Sequence, residues 1–142
     1  TFHVNDGRSL AAVANRSVDF AFSFDSLVHV EADVLLGYLD QLARKLTPAG
    51  VGFLHHSNLG SYLDPTTGTL PATIDNSSWR ASSVSAAAVR TACQQFALWC
   101  VSQELINWGP PTVLNDVIPS NANLSILRNG YFVSPAKRAS RW

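Results

Sequence analysis

Two short polar clusters of this 142-residue chain contain the residue types that could do chemistry. The first holds Asp25 and His29, and the second is the run His-His-Ser-Asn at positions 55–58. Histidine titrates near neutrality, so either cluster could supply a general base. Carboxylate, imidazole and amide groups could also form part of a shell for Mg²⁺ or another divalent ion. A purely structural interpretation stays open, in which Asp25 caps a turn, His29 packs at a helix start and one of the paired histidines faces the core.

Each cluster follows a run that reads as a short buried strand, over 18–24 and over 51–55. Between the runs, leucines at positions 35, 39, 42 and 46 fall at helical spacing, which predicts a helix over 30–46. The sequence Thr-Pro-Ala-Gly at 47–50 is expected to end that helix. Strand, helix and strand with short links predict a βαβ unit with parallel strands. Because ligands bind beyond the carboxyl ends of such strands, we expect the two polar clusters to converge there.

The rest of the chain completes an α/β pattern. Residues 59–79 are rich in Gly, Pro, Thr and Ser and predict a long loop, of the kind that serves as a lid or substrate loop. Ser82 or Ser83 is expected to cap a helix that runs to about Phe96. Strands are predicted over 98–106 and within 113–127, and the tail over 131–142 is a short helix or a frayed end. The order of these elements predicts one sheet whose last strand runs antiparallel to the others.

Composition excludes several classes of protein. Ten basic and ten acidic side chains give zero net charge, which leaves no electrostatic footprint for nucleic acid or an anionic membrane surface. Hydrophobic residues make up 46% of the chain, too many for a disordered segment. No run is long and apolar enough for a membrane span, and no secretory signal opens the sequence. The two cysteines predict small buried hydrophobes of a reducing compartment. We therefore expect a cytoplasmic protein with no nucleic-acid or membrane partner.

Common catalytic motifs are missing from the sequence. It has no G-x-S-x-G elbow, no P-loop and no H-E-x-x-H pair. The Gly-Val-Gly at 50–52 precedes a predicted strand instead of opening a helix, so it is not a dinucleotide fingerprint. Trp79 borders the predicted loop and could line a pocket, and its neighbour Arg80 could contact either substrate or solvent.

Three passages together resemble class I S-adenosylmethionine (SAM)-dependent methyltransferases. They are Asn-Asp-Gly at 5–7, the run SVDFAFSFDSLVH at 17–29, and the stretch 38–53 with its L-x-P-x-G pattern, which is similar to the family's fourth strand, helix and fifth strand. The run at 55–58 resembles a bacterial subgroup that acts on sugar or glycan hydroxyls. The resemblance covers the chain in order and weakens after Ile106. It implies a Rossmann-like methyltransferase sheet, mostly parallel with an antiparallel last strand.

The resemblance also assigns cofactor contacts. Asp6 matches the acidic residue that commonly contacts the adenine ring, and Gly7 lets the backbone approach that ring. Ser23, Phe24 and Asp25 match the strand end that lies against the methionine part of SAM.

Catalytic roles follow from the same resemblance. His29 stands where such an enzyme has a catalytic or substrate-binding histidine, and a metal-dependent variant would use Asp25 with His56 or Asn58 as ligands of Mg²⁺. The implied chemistry is O-methylation of a small molecule or sugar. A hydroxyl is deprotonated and attacks the sulfonium methyl in line, so positioning does most of the work.

One feature of the family is missing. The glycine-rich SAM loop and the acidic ribose-binding residue have no counterpart, so residues 1–142 are expected to be the C-terminal portion of a methyltransferase domain that lacks the N-terminal strands. The sheet edge left open is then covered by the missing half or by a second copy of the chain. Two alternatives stay open, a non-catalytic Rossmann-like binding or scaffold remnant and a metal-dependent hydrolase built on the histidines.

Overall fold

The structure, a computed structural model, describes residues 1–74, 79–106 and 122–129, the last range without the side chain of Ala122. Four strands, two α-helices and one 3₁₀ turn follow one another along the described chain. In order they are β1 (Val18–Leu27), α1 (Ala32–Lys45), β2 (Leu46–Ser57), the 3₁₀ turn (Leu59–Tyr62), α2 (Ala86–Gln95), β3 (Leu98–Ile106) and β4 (Ala122–Asn129).

The strands form one mixed sheet in the order β1-β2-β4-β3. β1 pairs with β2 in parallel, with Phe22 beside Phe53, and β4 runs antiparallel to both β2 and β3. The predicted α/β sheet with parallel strands around the first helix and an antiparallel last strand is therefore confirmed. The predicted tail element over 131–142 lies outside the described residues, as do positions 113–121 of the predicted last strand.

Helix α1 forms because its leucines recur on one face, and Leu35, Leu39 and Leu42 are buried there. Acidic Asp33 lies in its first turn and basic residues lie in its last, which suits the helix dipole. β2 begins at Leu46, directly after the helix. The prediction that the helix ends before residues 47–50 is confirmed, and the strand predicted over 51–55 begins earlier, at Leu46.

Helix α2 begins later than predicted. Its N-cap is Ser85, whose hydroxyl oxygen accepts a hydrogen bond from the backbone N of Ala88 at 3.1 Å. The predicted caps Ser82 and Ser83 instead bind the carboxylate of Glu31, 51 and 52 residues away in sequence. The predicted loop begins with the 3₁₀ turn over Leu59–Tyr62, and the lid or substrate role of positions 59–79 stays a prediction.

Both helices pack against the same face of the sheet. Their apolar side chains meet those of β2, β3 and β4 in one core that includes Leu39, Leu54, Val89, Leu98 and Leu127. The opposite face carries a row of aromatic side chains in the described part of the chain, with Phe20 60% and Phe22 64% exposed. Within the described ranges, no helix is long and apolar enough to cross a membrane.

Candidate functional site

The two polar clusters meet at the carboxyl ends of β1 and β2. The register of β1 shifts between Ser23 and Leu27, and within this irregularity Asp25 adopts a left-handed φ of 58°. Its backbone N donates a hydrogen bond to Nδ1 of His55 at 3.1 Å. Because Nδ1 accepts, the neutral His55 ring carries its proton on Nε2. The convergence predicted from the parallel strands is therefore present, and His55 is the histidine that contacts Asp25.

A buried cation completes this corner of the site. Arg80 is only 7% exposed, and burial lowers the pKa of its guanidinium while the charge of Asp25 raises it. Burial also lowers the pKa of His55, which Asp25 partly offsets and Arg80 reinforces. The ring of Phe24 lies 4.8 Å from the ring of His55. A carboxylate, a neutral imidazole and a guanidinium therefore lie within electrostatic reach of one another.

His29 is exposed beside this group and is oriented by a backbone carbonyl. Its Nδ1 lies 3.2 Å from the carbonyl oxygen of Trp79, which has a φ of 53°. A carbonyl only accepts, so Nδ1 donates, and in the neutral ring Nε2 is the acceptor nitrogen. The backbone that carries this carbonyl is held in place at Ala81. Ala81 N donates to Val28 O at 2.9 Å, and Ala81 O accepts from the Ser57 hydroxyl at 2.6 Å.

Glu31 links residues 82 and 83 to the start of α1 through hydrogen bonds. Its carboxylate accepts hydrogen bonds from the backbone N of Ser83 at 3.0 Å, from the Ser83 hydroxyl, and from the backbone N of Ser82 at 3.4 Å. The Ser83 oxygen in turn accepts from the backbone N of Ala32 at 2.8 Å. Glu31 is not among the site residues predicted from the sequence, because its partners lie far away along the chain.

His56 faces the helix side of the sheet, since successive strand residues alternate between faces. It is fully buried, its Nδ1 lies 2.8 Å from Ser57 O, and its Nε2 lies 2.9 Å from the Ser125 hydroxyl and 3.1 Å from Asn123 Nδ2. Burial lowers its pKa to about 4. His56 is therefore neutral at pH 7 and links β2 to β4, while its predicted catalytic role is not supported by any contact with Asp25.

The side-chain oxygen of Asn58 is also engaged in hydrogen bonds within the fold. Its Oδ1 accepts hydrogen bonds from the Ser61 hydroxyl and from Ala86 N, both at 2.8 Å, which ties β2 to the start of α2. Nowhere in residues 1–74, 79–106 and 122–129 do three or more His, Cys, Asp or Glu side chains form a group that could hold a metal ion. The described residues thus do not fit the suggested Mg²⁺ site, in which Asp25 and Asn58 were the expected ligands.

Asp6 and Gly7 form a turn at the same end of the sheet. Gly7 has a φ of 75°, and the Asp6 carboxylate accepts hydrogen bonds from Arg8 N at 2.9 Å and Ser9 N at 2.8 Å, which lowers its pKa. The Arg8 guanidinium reaches Asp33 in the first turn of α1 at 2.9 Å. Both predicted adenine contacts are therefore exposed beside the start of the helix that follows β1.

The other two predicted cofactor residues lie on β1. The Ser23 hydroxyl bonds to the Ser26 hydroxyl at 2.7 Å, and the Phe24 side chain is 42% exposed. Ser23 also lines an apolar cleft of about 190 Å³ between β1 and α1. Its other lining residues are Leu10, Ala21, Phe22, Leu27, Tyr38, Leu42 and Leu54.

Comparisons with known proteins identify the fold. No family model and no curated protein sequence matches this chain. A protein from Pyrococcus horikoshii matches 90% of it with a TM-score of 0.59 and 17% identity. SAM-dependent methyltransferases from Archaeoglobus fulgidus and Mesorhizobium loti match 89% and 87% of it, with TM-scores of 0.58 and 0.57 and identities of 12% and 14%.

The chain covers only part of each of these neighbouring proteins. The chain spans 58% of the length of the Pyrococcus protein, and 66% and 67% of the lengths of the two methyltransferases. At such low identities the likeness shows the fold alone. The sheet and its helices therefore have the Rossmann-like arrangement found in SAM-dependent methyltransferases, and the chain is similar to part of that arrangement.

Proposed function

We propose that this chain belongs to a SAM-dependent methyltransferase and forms the part that binds and deprotonates a hydroxyl of a small molecule or sugar. The observation that carries the proposal is the position of His29. Its ring is exposed at the carboxyl end of β1, its Nδ1 is engaged by Trp79 O, and its Nε2 is left as a proton acceptor. The likeness to methyltransferase structures supports the choice of methyl transfer over other base-catalysed reactions.

Two exposed residues at this end of the sheet fit SAM as a ligand. SAM, when bound, supplies an electrophilic methyl group on a sulfonium. The exposed Phe24 ring offers a flat apolar contact at the strand end, and the exposed Asp6 carboxylate can accept a hydrogen bond from an amino group such as that of adenine. Both residues lie at the end of the sheet where open α/β folds bind their ligands.

In the proposed reaction, His29, Asp25 and His55 have different roles. His29 Nε2 removes the proton of the acceptor hydroxyl, and the hydrogen bond from Nδ1 to Trp79 O steadies the imidazolium that results. The exposed carboxylate of Asp25, attracted by the Arg80 guanidinium, is placed to accept a hydrogen bond from the acceptor and so orient it. His55 is kept neutral by burial and fixes the backbone of Asp25.

Methyl transfer from labelled SAM to a panel of sugars and other hydroxyl compounds, by the whole methyltransferase of which this chain is part, tests the proposal with the variant His29→Gln. Loss of a general base lowers kcat typically by a factor of 10²–10⁴, so we expect a fall on the order of a hundredfold or more. The affinity for SAM, measured by calorimetry, is expected to stay unchanged. His3→Gln is the matched control, because His3 is exposed and has no role in the proposal.

The possible outcomes separate the proposal from its alternative. A His29→Gln variant with the kcat of the wild type refutes the role of His29 as the base. A wild-type protein that binds SAM and methylates none of the hydroxyl acceptors supports a non-catalytic binding domain instead. Loss of SAM binding together with kcat in His29→Gln would assign His29 to the cofactor site and not to proton removal.

A further inference from the structure

Ala81 joins the ends of β1 and β2 through both of its backbone groups. Its nitrogen donates to Val28 O at 2.9 Å, and its oxygen accepts from the Ser57 hydroxyl at 2.6 Å. A planar peptide unit carries the carbonyl of one residue and the nitrogen of the next, so the first bond holds the peptide unit that joins Val28 to His29. The second bond holds Ala81 to the last residue of β2.

The Trp79 carbonyl, which orients His29, lies close to Ala81 along the backbone. Because the peptide units on either side are planar, only φ and ψ of Arg80 can rotate between that carbonyl and Ala81 N. The Arg80 side chain is only 7% exposed, and the packing around it restricts this rotation. The position of Ala81 therefore determines where the Trp79 carbonyl meets Nδ1 of His29.

Ser57 is suited to hold Ala81, because its hydroxyl is fixed in orientation. The residue is fully buried, and its oxygen accepts a hydrogen bond from Leu59 N at 3.1 Å while its proton is donated to Ala81 O. Side chains alternate along a strand, so Ser57 lies on the same face of β2 as His55, which accepts from Asp25 N. The end of β2 thus fixes backbone atoms in both of the other segments of the site.

We propose that Ser57 is a positioning residue for His29. Its hydroxyl holds Ala81, Ala81 places the Trp79 carbonyl, and that carbonyl keeps the proton of the neutral His29 ring on Nδ1. The hydrogen bond at one nitrogen of a histidine ring decides which nitrogen carries the proton. Without the Ser57 hydroxyl, Ala81 O loses its donor, the Trp79 carbonyl shifts, and the proton moves in part to Nε2. The effect on turnover rests on the proposed function, in which Nε2 removes the proton of the acceptor hydroxyl.

Nitrogen-15 NMR of the histidine rings in the whole methyltransferase, at alkaline pH where the rings are neutral, tests the positioning role without turnover. The wild-type His29 ring, assigned by the loss of its signals in His29→Gln, is expected to carry its proton on Nδ1. In Ser57→Ala the population protonated on Nε2 is expected to rise several-fold. Ser57→Cys, which has a similar size and a weaker donor, is expected to fall between the two. Ser17→Ala is the matched control, because the Ser17 hydroxyl also donates to a backbone carbonyl, that of Ala14 at 2.8 Å, and has no role in the proposal.

Turnover then separates this proposal from the proposed function. A small misplacement of a catalytic group costs up to about a hundredfold in rate, so Ser57→Ala is expected to lower kcat about ten- to a hundredfold, with the affinity for SAM unchanged. A shifted His29 tautomer with the kcat of the wild type supports the positioning role of Ser57 and refutes the role of His29 as the base.

The tautomer of His29 decides the proposal itself. A Ser57→Ala variant with the wild-type tautomer, or a wild-type ring protonated on Nε2, overturns it. Circular dichroism establishes that each variant is folded before it is scored. If Ser57→Ala does not fold, Ser57→Cys decides by the same measurement, and a tautomer equal to that of the wild type overturns the proposal there as well.

Discussion

The burial of His56 makes the stability of the fold depend on pH. Its pKa is lowered from 6.5 to about 4 in the folded chain. Between these values the unfolded chain binds a proton that the folded chain does not, so stability falls as the pH falls from about 6.5 to about 4. Below about 4 both states are protonated at His56, and this residue causes no further loss. At about 1.36 kcal/mol for each pKa unit, the difference amounts to about 3 kcal/mol.

The variant His56→Gln isolates this effect. Glutamine does not titrate, and its amide can both donate and accept hydrogen bonds toward Ser125 and Asn123, the partners of His56. Urea unfolding, followed by tryptophan fluorescence at pH values from 7 down to 4, gives the free energy of unfolding of each variant. We expect the wild type to lose about 3 kcal/mol more than His56→Gln over this range. Burial also lowers the pKa of His55, so a smaller loss of the same sign remains in the variant.

Two comparisons decide whether the reasoning holds. His3→Gln changes an exposed histidine and is expected to keep the full acid sensitivity of the wild type. If His56→Gln loses as much stability on acidification as the wild type, His56 is not held neutral by the fold, and the network with β4 is not what protects it. Activity of the same variant is informative as well, because a structural His56 predicts turnover close to that of the wild type at pH 7.

Three further predictions concern the elements that position the site. Leu39→Ala empties a fully buried position of α1 and is expected to lower the free energy of unfolding by about 2–5 kcal/mol in urea titrations. Ser85→Ala removes the hydrogen bond to Ala88 N and is expected to cost about 1 kcal/mol by the same measurement, with the loss confined to α2 in hydrogen exchange. Gly50→Ala places a Cβ 2.7 Å from the backbone oxygen of Val18, so we expect a loss of about 1–3 kcal/mol and a lower melting temperature.

The βαβ unit could be predicted from the sequence because its signals are local. The leucine spacing of α1 places the helix within two residues of its observed ends, and the aromatic run over 18–24 predicts β1. The start of α2 could not be placed the same way. Ser82, Ser83 and Ser85 all suit an N-cap, and Glu31 takes the first two from the far side of the sequence. The hydrogen bonds of Glu31 to Ser82 and Ser83 therefore leave Ser85 as the N-cap of α2.

In the candidate site, too, some features could be predicted from the sequence and others could not. Convergence of the two clusters follows from parallel strands, and the sequence contains that information. The contact of His55 with Asp25 depends on the irregular end of β1, which shifts the register and turns the Asp25 backbone N toward the ring. The approach of the Trp79 carbonyl to His29 joins residues 50 positions apart. Neither has a sequence signal, because both follow from tertiary packing.

The backbone itself singles out the region around His29. Among the described residues, four non-glycine positions have a positive φ, and two of these, Asp25 and Trp79, contribute backbone atoms to the hydrogen bonds of His55 and His29. A positive φ disfavours residues with a Cβ, so such conformations persist only where surrounding contacts impose them. Here the contacts are those same two hydrogen bonds, reinforced on the Trp79 side by the bond from Ala81 N to Val28 O. The fold therefore departs from local backbone preference at two of the positions whose backbone atoms orient His55 and His29. Under the proposed function, the imidazole oriented in this way is the group that removes the proton of the acceptor hydroxyl.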